Sequence, residues 1–409
     1  MLNIIWITFF LAAFACALFK SIVLGDQQIF SQIMAALFEL SKSAFEIALG
    51  LTGVLSLWLG IMRIAEVSGS MQLLTRGLTP LFSRLMPDVP RDHPALGAIV
   101  MNISANALGL DNAATPLGIK AMQELQTLNP NPDTATNAQI LFLVINASSV
   151  TLFPISIFTY RAQLGALSPT DVFIPILIAT YMSTMAGLLS VAFVQKINLL
   201  DKVIVAYLGG FTLLVAGIVA YFSTLTQTQM LQQSALVSNS ILFTLIIGFI
   251  VAAIYKRVDA YAAFVDGARE GFQTAITIIP YLVAMLSAIG VFRASGALSL
   301  ITDAIRAIAH AAAIDDRFID ALPTALIKPF SGSGARAMMV DTMQTFGVDS
   351  FAGHLACIIQ GSTETTFYVI AVYFGAVKIK NIRHTAACGI IADFFGVLAA
   401  IFVSYWFFG

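Results

Sequence analysis

The sequence predicts an all-α, multi-spanning membrane protein built from two related halves, each with one interrupted helical segment and one polar patch at membrane depth. Three observations carry this reading. Of 409 residues, 58% are hydrophobic and only 11% charged, against roughly 25% charged in an average soluble domain. Uncharged runs close to the ~20 residues that cross about 30 Å of hydrocarbon recur along the whole chain. Finally, three pairs of landmarks recur in the same order in the two halves.

The first apolar run, 3–19, has no preceding positive charge and no small-residue cleavage pattern after Ala17, so it reads as a helix and not as a secretory signal. Further spans are predicted over 47–62, 139–160, 172–195, 271–292, 352–376 and 385–408. Between 203 and 255 there is no charge, but a polar insert from Thr226 to Ser234 divides the stretch into two spans joined by a short loop. Nine full spans result. The predicted organisation is an N-terminal helix with an interfacial segment (1–45), a first half (46–200), two linking spans (201–258) and a second half (259–409). The expected location is the bacterial cytoplasmic (inner) membrane, with the N-terminus in the cytoplasm.

The repeat rests on matched landmarks. Ser68-Gly69 and Ser295-Gly296 lead into amphipathic stretches at 71–85 and 297–311. Met122-Gln123 and Met343-Gln344 close the interrupted segments. Asn146, Ser148, Ser149, Thr151 and Phe153 align with Gln360, Ser362, Thr363, Thr365 and Phe367. The offset shrinks from 227 residues to 221 and then 214, as small deletions would make it.

Interrupted segments at 95–126 and 320–346 carry the unusual chemistry. The first holds Asn102, Ser104, Asn106, Gly109, Asp111, Asn112, Thr115 and Pro116; the second holds Lys328, Pro329, Ser331, Gly332, Ser333, Gly334 and Arg336. Proline removes an amide donor and glycine permits positive φ, so each stretch is predicted to break into two half-helices. Backbone between them is tolerated at membrane depth only where protein or a watery cavity covers it. Thr115, with Pro116 at the first helical position, and Ser331 or Ser333 are the expected caps of the restarting helices. Helix N-termini of this kind suit an anionic or carbonyl-bearing solute. The plainer alternative is that these polar side chains satisfy one another at close helix crossings.

Counting basic residues gives a weak test of topology. If both interrupted segments are re-entrant hairpins, Arg63, Arg76, Arg84, Arg91, Lys196, Lys202, Lys256, Arg257, Arg269, Lys378, Lys380 and Arg383 lie inside, 12 against 6 outside; full crossing gives 11 against 7. Hairpins leave three spans per half across two linking spans, which inverts the halves. Inverted halves with discontinuous helices near the midplane are a recurring plan of secondary transporters.

Several functions are excluded or disfavoured. Cys16, Cys357 and Cys388 all fall in apolar runs, without disulfide or metal-ligand spacing. A net charge of -1 without a basic block gives no nucleic-acid footprint. No phosphate-binding loop of the G-x-x-x-x-G-K-[ST] type occurs, and no nucleophile, base and metal set is assembled, so no enzyme activity, cofactor or metal is expected. The expected partners are the lipid bilayer and a small polar solute; a homo-oligomer is compatible with the sequence.

The candidate binding residues are Asn102, Asn106, Asn112, Thr115, Ser331, Ser333 and Arg336 from the interruptions. Asn146, Ser148, Ser149, Gln360, Ser362 and Thr363 join them from the polar patches. Glu364, an acid inside an apolar run, is a functional candidate by position, and its repeat partner is Val150. Two readings stand for it: binding a coupling proton or cation with Lys328 or Arg336 as counter-charge, or an internal ion pair with one of those bases. Asp111 is a cation ligand or a helix-end partner of Lys120. Asp393 reads as a partner of Arg383 or Lys380, with a second coupling site as the alternative. His93 and His354 read as interfacial, and His310 and His384 as peripheral.

These residues carry a resemblance. The stretch NALGLDNAATPLGIKAMQELQ (106–126) resembles the signature of spore maturation protein A. KPFSGSGARA (328–337) and QGSTETTFYVIAVYFGAVKIK (360–380) resemble spore maturation protein B. Both belong to the nucleoside-recognition or gate-domain superfamily, so the chain resembles a fusion of the two. That resemblance covers nearly everything outside the first 40 residues and the linking spans. It implies a solute pathway, since the gate domain is shared with concentrative nucleoside transporters and ferrous-iron uptake proteins. Arg336 departs from the small or apolar residue expected there, which argues against a simple neutral-solute site.

Overall fold

Hydrocarbon offers a backbone no hydrogen-bond partner but itself, so long uncharged runs form helices. The computed structural model describes residues 2–107, 111–149 and 151–409, with the side chains of 2, 71 and 111–113 outside the description. Among the described residues there is no β-strand, and 8 helical stretches are long and apolar enough to cross a membrane, one of them, Phe351–Ala376, interrupted at 363–365.

Helix α1 (Leu2–Val23) precedes the first half. That half runs through α2 (Ile29–Val67), the amphipathic α3 (Ser70–Leu85), the pair α4 (Pro94–Ala107) and α5 (Asp111–Thr127), the pair α6 (Asn137–Ala147) and α7 (Ile155–Gln163), and α8 (Phe173–Gln195). Two linking helices follow, α9 (Lys202–Ser223) and α10 (Gln227–Tyr255). The second half repeats the order: α11 (Ala260–Ala294), the amphipathic α12 (Ala297–Ala311), a 3-10 turn (Arg317–Ala321) leading through α13 (Leu322–Ile327) to α14 (Gly332–Phe346), then α15 (Phe351–Ser362), α16 (Thr366–Ala376) and α17 (Thr385–Phe408). The bend before each amphipathic helix is the same device, a glycine in the left-handed region at Gly69 (φ 80) and Gly296 (φ 83). In both, the preceding serine donates back one turn, Ser68 to Ala65 O and Ser295 to Phe292 O.

Contacts between equivalent helices show that the halves are inverted. A Cβ on Gly271 of α11 would lie 2.5 Å from Ser56 Cα, and one on Gly290 would lie 2.1 Å from Leu40 Cδ1, so α2 and α11 run antiparallel in close contact. Helices α8 and α17 are likewise antiparallel: Gln195 Nε2 is 3.1 Å from His384 Nε2, and Ser183 donates to Ala392 O at 3.0 Å. The α6–α7 pair begins where Arg383 donates to Asn137 Oδ1 (3.0 Å) and ends where Arg161 donates to Val348 O (2.9 Å). The α15–α16 pair runs the other way, from Ser350 to the segment where Lys380 meets Asp133 at 3.1 Å. We call the Lys380 end the first face and the Val348 end the second face.

Each interrupted segment turns back on itself. His93 Nε2 lies 3.3 Å from Thr127 Oγ1, and Asn102 donates to Ala114 O at 2.7 Å, so α4 and α5 start and finish at the first face. With 14 residues, α4 is about 21 Å long, too short to cross about 30 Å of hydrocarbon. In the second half, the Arg317 guanidinium lies 5.1 Å from the Phe351 ring, which brings both ends of that segment to the second face.

Three expectations are corrected. First, 139–160 is not a continuous helix, since α6 stops at Ala147, and the span expected over 352–376 is present at Phe351–Ala376 but is broken after Ser362; short extended stretches precede α7 and α16. The break persists because the freed backbone groups find partners elsewhere. Glu364 N donates to Ala147 O (2.8 Å), Leu152 N to Ala107 O (3.1 Å) and Phe367 N to Pro329 O (2.9 Å). Second, Thr115 does not cap α5, which begins at Asp111 and carries Pro116 inside its second turn. Third, the polar insert is not a loop beyond Thr226. Thr226 and Gln229 form a capping box, and Gln227 to Ser234 are the opening turns of α10.

Candidate functional site

The start of α14 and both helix breaks meet between the halves, and Ala107, the last described residue of α4, accepts from Leu152 N at the first break. In the second half Ser331 caps α14, its side chain accepting from Gly334 N at 3.0 Å, so the helix N-terminus points into the meeting place. The first break bends through Ser149, a non-glycine residue at φ 53, and its hydroxyl lies 2.6 Å from that of Thr151. A cavity of about 50 Å³ lies between the halves. Ser149, Thr151 and Ser156 line it from the first half; Lys328, Arg336, Gln360 and Glu364 line it from the second.

The sequence-predicted residues divide into two groups. Ser149, Lys328, Arg336, Gln360 and Glu364 are brought to the cavity. Lys328 Nζ donates to Gln360 O at 2.9 Å, and the Arg336 guanidinium lies 6.0 Å from the Tyr160 ring centroid. The others support the breaks from behind. Asn106 donates to Asn146 Oδ1 (2.9 Å), and Asn146 in turn to Phe142 O (2.9 Å). Asn102, fully buried, also reaches Tyr373 Oη at 3.4 Å. Ser148 and Ser362 donate to carbonyls three residues back in their own helices. Ser333 lies 3.4 Å from the capping hydroxyl of Ser331. Thr363 is buried against α17, while Thr115 is half-buried in α5, away from the cavity. The side chains of Asp111 and Asn112, and Val150, lie outside the described residues.

The Gate family model, described as nucleoside recognition, matches 48–167 and 275–380, more than half of the chain. The chain belongs to the Gate family. Its two matched segments cover the hairpin and broken helix of each half. Spore maturation protein A of Bacillus subtilis is 40% identical over 189 residues, 46% of this chain and 93% of the relative. Spore maturation protein B of the same organism is 45% identical over 165 residues, 40% of this chain and 91% of the relative. Each relative matches under half of the chain, consistent with a fused pair. No solved structure matches.

Sequence reasoning missed three features of this Gate protein. At the second face Arg161, with its side chain wholly buried, lies 3.0 Å from Asp171 and from Asp349 and 3.3 Å from His354 Nε2. His354 is therefore buried in a charge network and not interfacial; its ring also stacks on Phe408 at 4.0 Å. Asp171, Asp349 and His354 bring ligand atoms within 4.8 Å of one another, but the guanidinium in their midst already supplies the positive charge a metal would bring. Asp393 is not paired with Arg383 or Lys380, which bind Ala135 O with Asn137 and Asp133 respectively. It is buried two turns into α17 and accepts from Thr366 Oγ1 at 2.7 Å. Thr180 and Thr184 of α8 donate to the loose carbonyls of the first break.

Proposed function

We propose that this chain is a secondary-transporter-like protein of the bacterial cytoplasmic membrane, handling a small polar solute, nucleoside-like or anionic, in the gap between its inverted halves. The supporting observation is a cavity lined jointly by both breaks and the α14 N-terminus, with two basic side chains, Lys328 and Arg336, against one acid, Glu364. That charge balance and the free amides of a helix start favour a solute bearing negative charge or carbonyl oxygens. The family description, nucleoside recognition, supports the nucleoside-like option. In this reading the two folded-back segments enter the membrane as re-entrant hairpins. The first face, which carries the 12 basic residues, is cytoplasmic.

The gap between the halves is narrow. About 50 Å³ holds little more than one water at its liquid share of about 30 Å³, so a solute enters only after the halves move. The second face is held by the buried Arg161 network, whereas the first is held by exposed contacts such as Lys380 with Asp133, whose side chains are 78% and 67% exposed. Exposed pairs contribute roughly 0–1 kcal/mol, so the first face is the easier one to open. Glu364 is the proposed coupling group, and uptake at the wild-type rate and ion dependence in Glu364→Gln would remove it from that role.

A second reading, a non-transporting scaffold for an envelope process, draws support from the small cavity and from relatives named for spore maturation. Thermal unfolding of the purified protein with nucleosides, nucleobases, amino acids and carboxylates separates the two. Transport predicts a saturable rise in midpoint with one class, reduced at least tenfold in apparent affinity by Arg336→Ala. Folded protein that responds to none, with a stable co-purifying partner, supports the scaffold.

A further inference from the structure

Hydrogen-bond accounting at the two helix breaks gives different results in the two halves. An unwound turn leaves carbonyl oxygens that need donors. In the first half α8 supplies them: Thr180 and Thr184 approach Ser148 O at 3.5 Å, and Thr180 also donates to Ser149 O. The second half should repeat this with α17, because each break rests on a glycine of that helix. A Cβ on Gly187 would lie 3.7 Å from Ser148 Cβ, and one on Gly396 would lie 2.6 Å from Thr363 Cγ2. Aligning these glycines puts Asp393 in the place of Thr184 and Gly389 in the place of Thr180. Two hydroxyl donors are thus replaced by a carboxylate acceptor and by no side chain at all.

The consequence is a surplus of oxygen acceptors around a buried carboxylate. Thr366 donates to Asp393 Oδ2, but Asp393 Oδ1 and Thr363 Oγ1 are buried without partners, in residues only 5% and 1% exposed. Among the described residues, no backbone or hydroxyl donor reaches the carbonyl of Thr363 or of Glu364. Lys328 Nζ donates to Gln360 O, and its charge also acts on Asp393. A buried carboxylate surrounded by other acceptors is strongly unfavourable unless something positive sits among them. Hydroxyl, carbonyl and carboxylate oxygens are the ligands of a hard cation, and Asp393 and Glu364 against Lys328 leave one negative charge for a single positive charge to balance.

We infer that the second helix break binds a monovalent cation of sodium size, with Asp393, Thr363 and the loose carbonyls of the break as its ligands. The site rests on the transport reading and deepens it by placing the coupling ion beside Glu364, the proposed coupling group, with Asp393 as the direct carboxylate ligand. Binding is measured without solute, so failure of one reading leaves the other standing.

The test is thermal unfolding of the purified full chain, at constant pH and ionic strength, with sodium replaced stepwise by choline, and equilibrium binding of radioactive sodium to the wild type. The wild type is expected to gain a saturable sodium-dependent rise in midpoint and to bind about one ion. Asp393→Asn and Thr363→Val are each expected to weaken the apparent sodium affinity at least tenfold, with Thr363→Ser restoring it. Thr180→Val, the matching change at the first break, is expected to leave sodium affinity unchanged. If Asp393→Asn fails to fold, Thr363→Val carries the test. No sodium, lithium or potassium response in the wild type would overturn the inference. So would a response that persists in Thr363→Val, or stabilisation by acid alone, which would make Asp393 a proton site.

Discussion

Arg161→Met gives the sharpest test of how the second face is held. The substitution keeps much of the length of the side chain and removes the charge and all donors. In the native protein the guanidinium donates to Val348 O at 2.9 Å and pairs with Asp171 and Asp349 at 3.0 Å. Asp349 is exposed and keeps the amide of Leu167, which donates to it at 3.0 Å. Asp171 is 7% exposed and keeps only His354 Nε2 at 3.1 Å. Breaking a buried pair by removing one partner costs about 3–5 kcal/mol, chiefly because the survivor stays charged and buried. At about 1.4 kcal/mol per factor of ten, that is at least a hundredfold change in the equilibrium between native and opened states.

The assay is a double-mutant cycle on thermal or denaturant unfolding of the purified protein. Arg161→Met alone is expected to be severely destabilised, and Asp171→Asn in addition to recover part of the loss, because it removes the stranded charge. A single mutant that unfolds with the wild type would refute the argument. A double mutant no better than the sum of the two singles would show that Asp171 does not depend on Arg161.

Two further predictions concern other parts of the frame. Gly271→Leu, whose Cβ alone would meet Ser56 Cα at 2.5 Å, should separate α2 from α11 and lower the unfolding midpoint by the equivalent of about 1–3 kcal/mol; an unchanged midpoint would show that this contact is not close-packed. At the first face, burial and then Arg383 hold the His384 imidazole below its usual 6.5. The unfolded chain therefore binds the proton more readily, so the contribution of His384 is fully present above pH 6.5 and declines as pH falls through the lower folded value. His384→Gln should flatten that part of the stability profile between pH 5 and 7, and an unaltered profile would assign the dependence to another group.

Much of the frame was readable in the sequence because it depends on composition and order. The apolar runs give the helices, and the Ser-Gly pairs before α3 and α12 give the repeat. What escaped depends on tertiary partners. Residues 139–160 look the same whether or not a helix breaks within them, since the break at Ser148 exists only where Glu364 N, Thr180 and Thr184 reach its carbonyls from elsewhere in the chain. Arg161, Asp171, Asp349 and His354 meet across nearly 200 residues of sequence with no spacing to mark them. The proline rule failed at Thr115 because α5 restarts four residues earlier, which places Pro116 well inside the helix.

The inverted arrangement also sharpens what the differences between the halves mean. Two repeats that share a fold provide an internal control: any position where one half satisfies its backbone and the other does not is a departure from a common scheme. Thr180 and Thr184 complete the first break with protein donors alone. The second break carries Asp393, Glu364 and Lys328 around the equivalent backbone, so its neutrality depends on charge and not on hydroxyl donors. A break closed by hydroxyls keeps its geometry whatever the ionic conditions. One closed by charges changes its stability as ions or protons arrive. On that physical ground the stability of the second break is expected to respond to ions, and that of the first is not.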